Sequence, residues 1–440
     1  MTLSLVGFGL VLLVAFIGVP LGITLLLVGI GGFAIVRGGI FDIDSLNAAL
    51  AMAGQQIMDL STNYGLSVLP LFVLMGTFIH RAQLSEELYD AANGFLGHRR
   101  GGLAMATVAA CAGFAAVSGS SLATAATMSK VAMPPMRRFL YANSLAAGTI
   151  AAGGTLGILI PPSVPMVIYG ILTEVDIGKL FIAGILPGIL LVLLYFGAIA
   201  VTVRVNPEMG PPGKRVDWPE RWRALSKVWG VLILFVVILG GIYLGVFTPT
   251  EAASIGASGA MIFAFGRGKL NLQALVDSLI DAARTSAMIF FVGFGALVFS
   301  NFINLAGLPD AMVEFITSLD VPPIGVVLAI CIIYVILGCV FDGLAMLLLT
   351  VPIFFPIVQP LGIDGVWFGI VVIIVIEIGL ITPPIGMNVF MVKTVLRDVE
   401  IWTIFNGIWP FLAATILGLA IIIMFPQIAL VLPNLMLDLR

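Results

Sequence analysis

Two short runs combine hydroxyls, glycines and paired prolines in a way that suits a small ion: "SGSSLAT" (118–124) and "GILIPPS" (157–163). A second pair lies downstream, "GCVFDG" (338–343) and "GLITPP" (379–384), with Asn388 about one turn further on. Pro161 and Pro162 supply no N–H, and each disrupts the carbonyl partnership one turn earlier. Carbonyls near Gly157, Ile158 and Leu159 are thereby released to accept a cation. A half-helix restarting after the prolines turns its first N–H groups, with Ser163 near that end, toward an anion. The same logic applies to Gly379, Thr382, Pro383 and Pro384. Hydroxyls of Ser118, Ser120, Ser121 and Thr124 beside such carbonyls suit a weakly held hard cation. A single proline-containing span can also be merely bent, and serines also let helices pack closely. The recurrence of the pattern favours a site.

These runs must be positioned by membrane helices. The chain has 440 residues, is 60% hydrophobic and 10% charged, and has a mean hydropathy of +1.18. Soluble domains carry about 25% charged residues, so the fold class is all-α and polytopic, surrounded by membrane lipid rather than bound to nucleic acid. A crossing needs about 20 apolar residues. Crossings are expected at 3–18, 19–37, 62–80, 143–171, 178–203, 228–246, 250–266, 286–305, 365–393 and 405–426. Residues 102–136 and 323–357 are longer hydrophobic stretches interrupted near their middles, and read as re-entrant hairpins. With the basic loop 204–227 taken as cytoplasmic, seventeen of the twenty Lys and Arg residues fall inside. Arg37, Lys179 and Arg440 fall outside, a strong positive-inside bias. Both termini are then expected on the outer side.

A shift of 222 residues lays 157–163 on 379–385, Leu122 and Ala123 on Leu344 and Ala345, Pro134 on Pro356 and Ser120 on Asp342. An offset of 224 lays "FIHRAQL" (78–84) on "FINLAGL" (302–308). Five crossings precede the second copy, so it is inserted upside down. The expected organisation is a first repeat at 1–203, a cytoplasmic basic linker at 204–227 and a second repeat at 228–440. Inverted repeats with paired discontinuous helices are the architecture of secondary transporters.

Other polar residues divide between site and scaffold. Asp342 is a carboxylate inside the second hairpin, and reads as a cation ligand, a partner for a ligand hydroxyl or ammonium, or a helix cap. Thr248, Pro249 and Glu251 have capping-box spacing. Glu377, two residues before Gly379, either ties the break down by hydrogen bonds or contributes to a site. Cys111, Cys331 and Cys339 lack metal or redox spacing and read as packing residues, and His80 and His98 as polar flanks. Met1 to Val36 has no basic leader and is long enough for two spans, so no cleaved signal is expected. Residues 85–98 and 271–285 look amphipathic and surface-lying, at equivalent places in the halves. They either brace a moving domain or lie among headgroups. No catalytic triad, metal cluster or nucleotide loop is present, so no enzyme activity and no organic cofactor are expected.

"PLFVLMG" (70–76), "SGSSLAT" (118–124), "GTLGILIPPS" (154–163), "TPTEAA" (248–253) and "EIGLITPPIGMN" (377–388) together resemble the large membrane subunit of tripartite ATP-independent periplasmic (TRAP) transporters, in the right order over essentially the whole chain. The resemblance implies an elevator-type, sodium-coupled importer of organic anions in the bacterial inner membrane, of the ion transporter superfamily. It also implies a periplasmic substrate-binding protein and a small four-helix membrane subunit. Because the chain begins at the large subunit's first span, that small subunit is expected to be a separate polypeptide. By motif match, one Na+ site would use Ser118, Ser120 or Ser121 with carbonyls around Gly157, Ile160 and Pro161. A second would use carbonyls near Gly338 and Gly379 with the Thr382 hydroxyl. Substrate would lie near Ser120, Thr124, Ser163, Asp342 and Asn388. The hairpins and broken spans are expected to move against the remaining spans. Rival readings are a stand-alone sodium–dicarboxylate symporter or antiporter, and a proton-coupled channel using Asp342 and Glu377.

Overall fold

Backbone groups in hydrocarbon need internal partners, and the chain meets that demand with helices. The computed structural model describes residues 2–318, 321–339 and 341–436, and no strand occurs among them. Val340, in the second hairpin tip, and Arg440, expected on the outer side, lie outside the described residues.

Short polar side chains start many of the helices. Asp42 accepts from the Ser45 N–H at 3.0 Å, Asp176 from Lys179 at 2.8 Å, Asn271 from Ala274 at 2.7 Å and Asp364 from Trp367 at 2.9 Å. The expected capping box is present: Glu251 N–H donates to the Thr248 hydroxyl and the Glu251 carboxylate accepts from Thr248 N–H. Six helices among the described residues are long and apolar enough to cross a membrane, or seven when a bent pair is counted as one span. Five of the six coincide with expected crossings; the sixth, Gly343–Leu361, contains the second arm of the second hairpin. The expected crossings at 3–18, 19–37, 250–266 and 365–393 do not meet that criterion as single helices.

The same sequence of elements occurs twice. A lead-in (Ile43–Thr62 then Val68–Arg81) is followed by Leu84–Leu96, the hairpin arms Gly102–Ser118 and Ser121–Arg138, the broken helix Asn143–Leu159 and Val164–Thr173, and the span Ile177–Val205. Its counterpart is Leu272–Leu305, Leu308–Ser318, Pro323–Gly338 with Gly343–Val358, Gly365–Ile381 with Met387–Val395, and Ile401–Met424. This corrects the expected pairing of lateral helices. Residues 271–285 are not a separate surface helix; they form the first part of a continuous 34-residue helix. Their counterpart is Ile43–Thr62, which was not anticipated because its single apolar face leaves it too polar to read as a span. Leu84–Leu96 corresponds instead to Leu308–Ser318.

The broken helices occupy the centre: 83% of the first one's most apolar stretch is buried, and every residue from Trp367 to Ile381 is buried in the second. They are tied reciprocally, the Tyr169 hydroxyl donating to Gly365 O at 2.7 Å and the Asn388 amide to Ala151 O at 3.3 Å. The late half of each broken helix thus meets the early half of the other, as antiparallel partners must. The spans Ile177–Val205 and Ile401–Met424 pack on this pair and on each other. Tyr195 joins them, its hydroxyl lying 3.1 Å from Thr155 Oγ1 and 2.9 Å from Thr415 Oγ1. Several cations find partners between elements: Arg81 pairs with Asp277 and Asp281, and Arg267 with Glu87 while donating to Lys227 O.

Gly407 and Gly148 let Ile401–Met424 and Asn143–Leu159 touch backbone to backbone. A Cβ on Gly407 would lie 1.8 Å from Ser144 O, whereas one on Gly197 would meet nothing within 4 Å. Gly407→Ala is therefore expected to destabilise the fold by about 1–3 kcal/mol and Gly197→Ala to leave it unchanged. Thermal denaturation of the detergent-solubilised protein checks this; equal melting curves for the two would refute the close approach.

Candidate functional site

Each hairpin tip is built from a helix end, a turn and a new cap. In the first, Gly119 adopts φ +57°, a conformation few other residues accept, and Ser120 caps Ser121–Arg138. Thr124 holds the turn: its hydroxyl donates to Ser120 O at 2.8 Å and lies 2.8 Å from the Ser118 hydroxyl. Ser121 Oγ is buried with no hydrogen-bond partner. In the second tip Asp342 is the cap, one carboxylate oxygen accepting from Leu344 N–H at 3.0 Å and Ala345 N–H at 3.1 Å. The cap reading of Asp342 is thus realised, and its second oxygen is left for other partners.

Prolines interrupt both central helices at the expected places, and the Pro161–Pro162 and Pro383–Pro384 bonds are both cis. Hydroxyls satisfy part of what the breaks release. Ser163 Oγ donates to Ile158 O at 2.5 Å and Thr382 Oγ1 to Ile378 O at 2.5 Å. Of the three carbonyls expected to be free for a cation, Ile158 is therefore occupied. A hydroxyl that donates its proton still presents oxygen lone pairs, so Ser163 and Thr382 remain acceptors. The restarts differ: Ser163 caps Val164–Thr173 directly, whereas the second half-helix begins only at Met387, behind Gly386.

Each tip lies on the break of its own half. A Cβ on Gly157 would sit 2.7 Å from Ser120 O, and one on Gly379 would sit 2.6 Å from Gly338 Cα. The sequence-derived residues therefore assemble as two groups, Ser118, Ser120, Ser121 and Thr124 against Gly157 to Ser163, and Gly338 and Asp342 against Gly379 and Thr382. Ser120 and Asp342 are half-buried, while Thr124, Ser163 and Asn388 are completely covered. The five candidate substrate residues thus do not share one open surface. Asn388 Oδ1 and both Glu377 oxygens are buried without a hydrogen-bond partner; Glu377 does not tie the break down. An uncompensated carboxylate there costs several kcal/mol. The Thr155–Tyr195–Thr415 bridge beside it was not anticipated: three single polar residues in separate apolar spans carry no local pattern. Arg137 was read only as a sidedness marker, yet it binds Asp398 at 2.5 Å and so ties the first hairpin to the loop after the second broken helix. That pair holds the Asp398 carboxyl below the usual aspartate range. No group of three or more His, Cys, Asp or Glu is assembled among the described residues.

Two hairpins seated on two discontinuous helices, in inverted repeats of an all-helical polytopic protein, define a secondary-transporter class of membrane protein. The sequence comparisons name the family. The model of the family "Tripartite ATP-independent periplasmic transporter, DctM component" matches residues 8–428, and the chain belongs to that family. It is 38% identical to the C4-dicarboxylate TRAP transporter large permease protein DctM of Pseudomonas aeruginosa, over 86% of this chain and 88% of the relative. It is 32% identical to the sialic acid TRAP transporter large permease protein SiaM of Vibrio cholerae, over 96% of each. It is also 32% identical to the isethionate TRAP transporter permease protein DctMQ of Oleidesulfovibrio alaskensis, over 96% of this chain and 65% of that longer relative. Among solved structures, the Alcanivorax borkumensis YdaH transporter shares the fold, with a TM-score of 0.64, 16% identity and coverage of 88% and 89% of the two chains.

Thr124 closes the first tip on itself with two hydrogen bonds. Thr124→Val removes both of its hydrogen bonds, and Thr124→Ser keeps them. Each lost hydrogen bond costs about 1 kcal/mol, so with two lost amide exchange across 118–124 is expected to speed up about thirtyfold in the valine variant and not in the serine variant. Equal exchange in valine variant and wild type, followed by mass spectrometry, would show the tip is held otherwise.

Proposed function

We propose that this large permease imports a small organic anion, a carboxylate, sugar acid or similar solute, by sodium-coupled symport across the bacterial inner membrane. The observation that carries the reading is the backbone contact of each tip with its own break, Ser120 on Gly157 and Gly338 on Gly379. A cation held by oxygens from both sides of such a contact binds only when the tip is seated. Its differential affinity then converts sodium binding into tip closure. The first Na+ site uses Ser118, Ser120 or Ser121 with carbonyls around Gly157, Ile160 and Pro161; the second uses carbonyls near Gly338 and Gly379 with the Thr382 hydroxyl. No organic cofactor takes part.

Substrate docks between the tips, near Ser120, Thr124, Ser163, Asp342 and Asn388. The half-helix starting at Val164 faces it with an N-terminus suited to negative charge. Because Ser163 and Asn388 are covered, they act by positioning the breaks until the tips open. The hairpins and broken helices, together with Ile177–Val205 and Ile401–Met424, move as an elevator against the remaining helices. A small apolar cavity of about 20 Å³ at this boundary, with Ile168, Ile171 and Leu348 on one side and Leu69, Ile289 and Leu297 on the other, supports sliding surfaces without polar locks. Relatives are named for C4-dicarboxylates, sialic acid, ectoine and isethionate, which supports a small, mostly anionic solute. The word "tripartite" in the family description supports a periplasmic binding protein and a small membrane subunit as partners. The basic linker 204–227 is cytoplasmic and both termini are periplasmic.

Uptake into proteoliposomes carrying this chain and its membrane partner is expected to need both a sodium gradient and the purified binding protein. Gly157→Ala or Gly379→Ala, which force a tip off its break, should raise the sodium concentration for half-maximal uptake about tenfold, the equivalent of about 1.4 kcal/mol. Uptake without the binding protein would sink the tripartite reading. Unchanged sodium dependence in both alanine variants would sink the two sites.

A further inference from the structure

Residues 207–229 are not consumed by the transport mechanism, yet they are built into a definite shape. The linker is pinned to the turn after Leu84–Leu96: Gly213 N–H donates to Gly97 O at 2.8 Å and Gly101 N–H to Gly210 O at 2.9 Å. It leads into a short helix, Trp218–Leu225, bent by 51° from the membrane helix Trp229–Tyr243 that follows. Such a bend turns the short helix away from the spanning direction and toward the plane of the interface.

Three indoles mark that bend. Trp218, Trp222 and Trp229 are 59%, 60% and 57% exposed; Trp218 and Trp222 lie one turn apart on the short helix, and Trp229 opens the next helix beyond the bend. Arg221 does the opposite and turns inward: it is buried, donates from Nε to Val216 O at 2.9 Å, and stacks between Trp218 and Phe95. It riveted helix to linker, so the indole face is presented rather than floppy. Around this frame sit Arg99, Arg100, Lys214, Arg215, Arg223 and Lys227, all exposed, against four acids, Glu208, Asp217, Glu220 and, near Lys227, Asp90. His98 belongs to the same turn, and its Nδ1 is buried without a partner. Burial, and then the charge of Arg221, Arg99 and Arg215, holds that imidazole below the usual histidine value. Positive charge is therefore concentrated here beyond what the chain's own acids offset.

We propose that the face formed by Trp218, Trp222 and Trp229 with Arg99, Arg215 and Arg223 is a binding site for an anionic phospholipid headgroup. Exposed indoles at a membrane boundary favour the headgroup level, and clustered Lys and Arg beside a membrane helix attract acidic lipids. A soluble phosphate would use the cations but has no use for the indoles. An acidic protein segment would leave the indoles facing lipid without a charged headgroup beside them. The acidic lipid matches both halves of the surface at once, and anchors the linker between the two repeats to the bilayer.

Native mass spectrometry of the full chain, titrated with phosphatidylglycerol and separately with phosphatidylcholine, tests the site. The wild type is expected to retain phosphatidylglycerol at least about tenfold more tightly. Arg215→Ala with Arg223→Ala should weaken that binding about fivefold per cation and leave phosphatidylcholine binding unchanged. Glu220→Gln, which removes an opposing charge without touching the cations, should strengthen it, and keeps the proposal testable if the double variant folds poorly. Identical phosphatidylglycerol affinity in wild type, double variant and Glu220→Gln overturns the proposal. Displacement of the lipid by excess inorganic phosphate would assign the face to a soluble anion and overturn it as well. So would loss of the lipid preference when a co-purified membrane subunit covers the indoles.

Discussion

A helix cannot be interrupted inside a membrane unless something else satisfies the backbone it releases, and this molecule is arranged around two such interruptions. At each one the hairpin of the same half comes down until backbone meets backbone. Gly157 and Gly379 are the points of approach, and a single methyl group at either would collide with the opposing chain. Hydroxyls complete the repair: Ser163 takes Ile158 O, and Thr382 takes Ile378 O. The remaining helices exist to keep those two contacts in register. Tyr169 and Asn388 bind the broken helices to each other, the Tyr195 hydroxyl bridges Thr155 and Thr415 behind them, and Gly148 with Gly407 admits a further helix at closest range.

The two halves share this plan without sharing its chemistry. Ser120 caps the first tip with a neutral hydroxyl, whereas Asp342 caps the second with a carboxylate that spends one oxygen on Leu344 and Ala345. The first break restarts at once behind Ser163; the second runs on through Gly386 before Met387. Negative charge is thus built into one tip alone, and a short N-terminus faces the centre from the other half. An inverted repeat whose copies have diverged in this way offers two chemically unequal tips.

Much of this was legible before any coordinates. Caps, proline breaks and hairpin interruptions are local events, set by side-chain hydrogen bonding over three or four residues and by missing N–H groups, and they fall where the residues place them. The repeat was legible for the same reason, because equal local chemistry recurs at a fixed offset.

What the chain alone could not decide was set by contacts between distant residues. Ile43–Thr62 was invisible as a partner of 272–285 because amphipathic helices of different composition look alike only once both are seen leading into equivalent spans. Ile177–Val205 and Ile401–Met424 read as ordinary apolar spans, and packing alone attached them to the broken helices. Ser163 and Asn388 were expected near the substrate, but only the fold buried them completely and gave their donors to Ile158 and Ala151. The sequence determined where helices begin, break and cross, because those are short-range matters of hydrogen-bond supply. The tertiary structure decided which carbonyls remain free and which oxygens meet, because that depends on how closely two distant backbones approach.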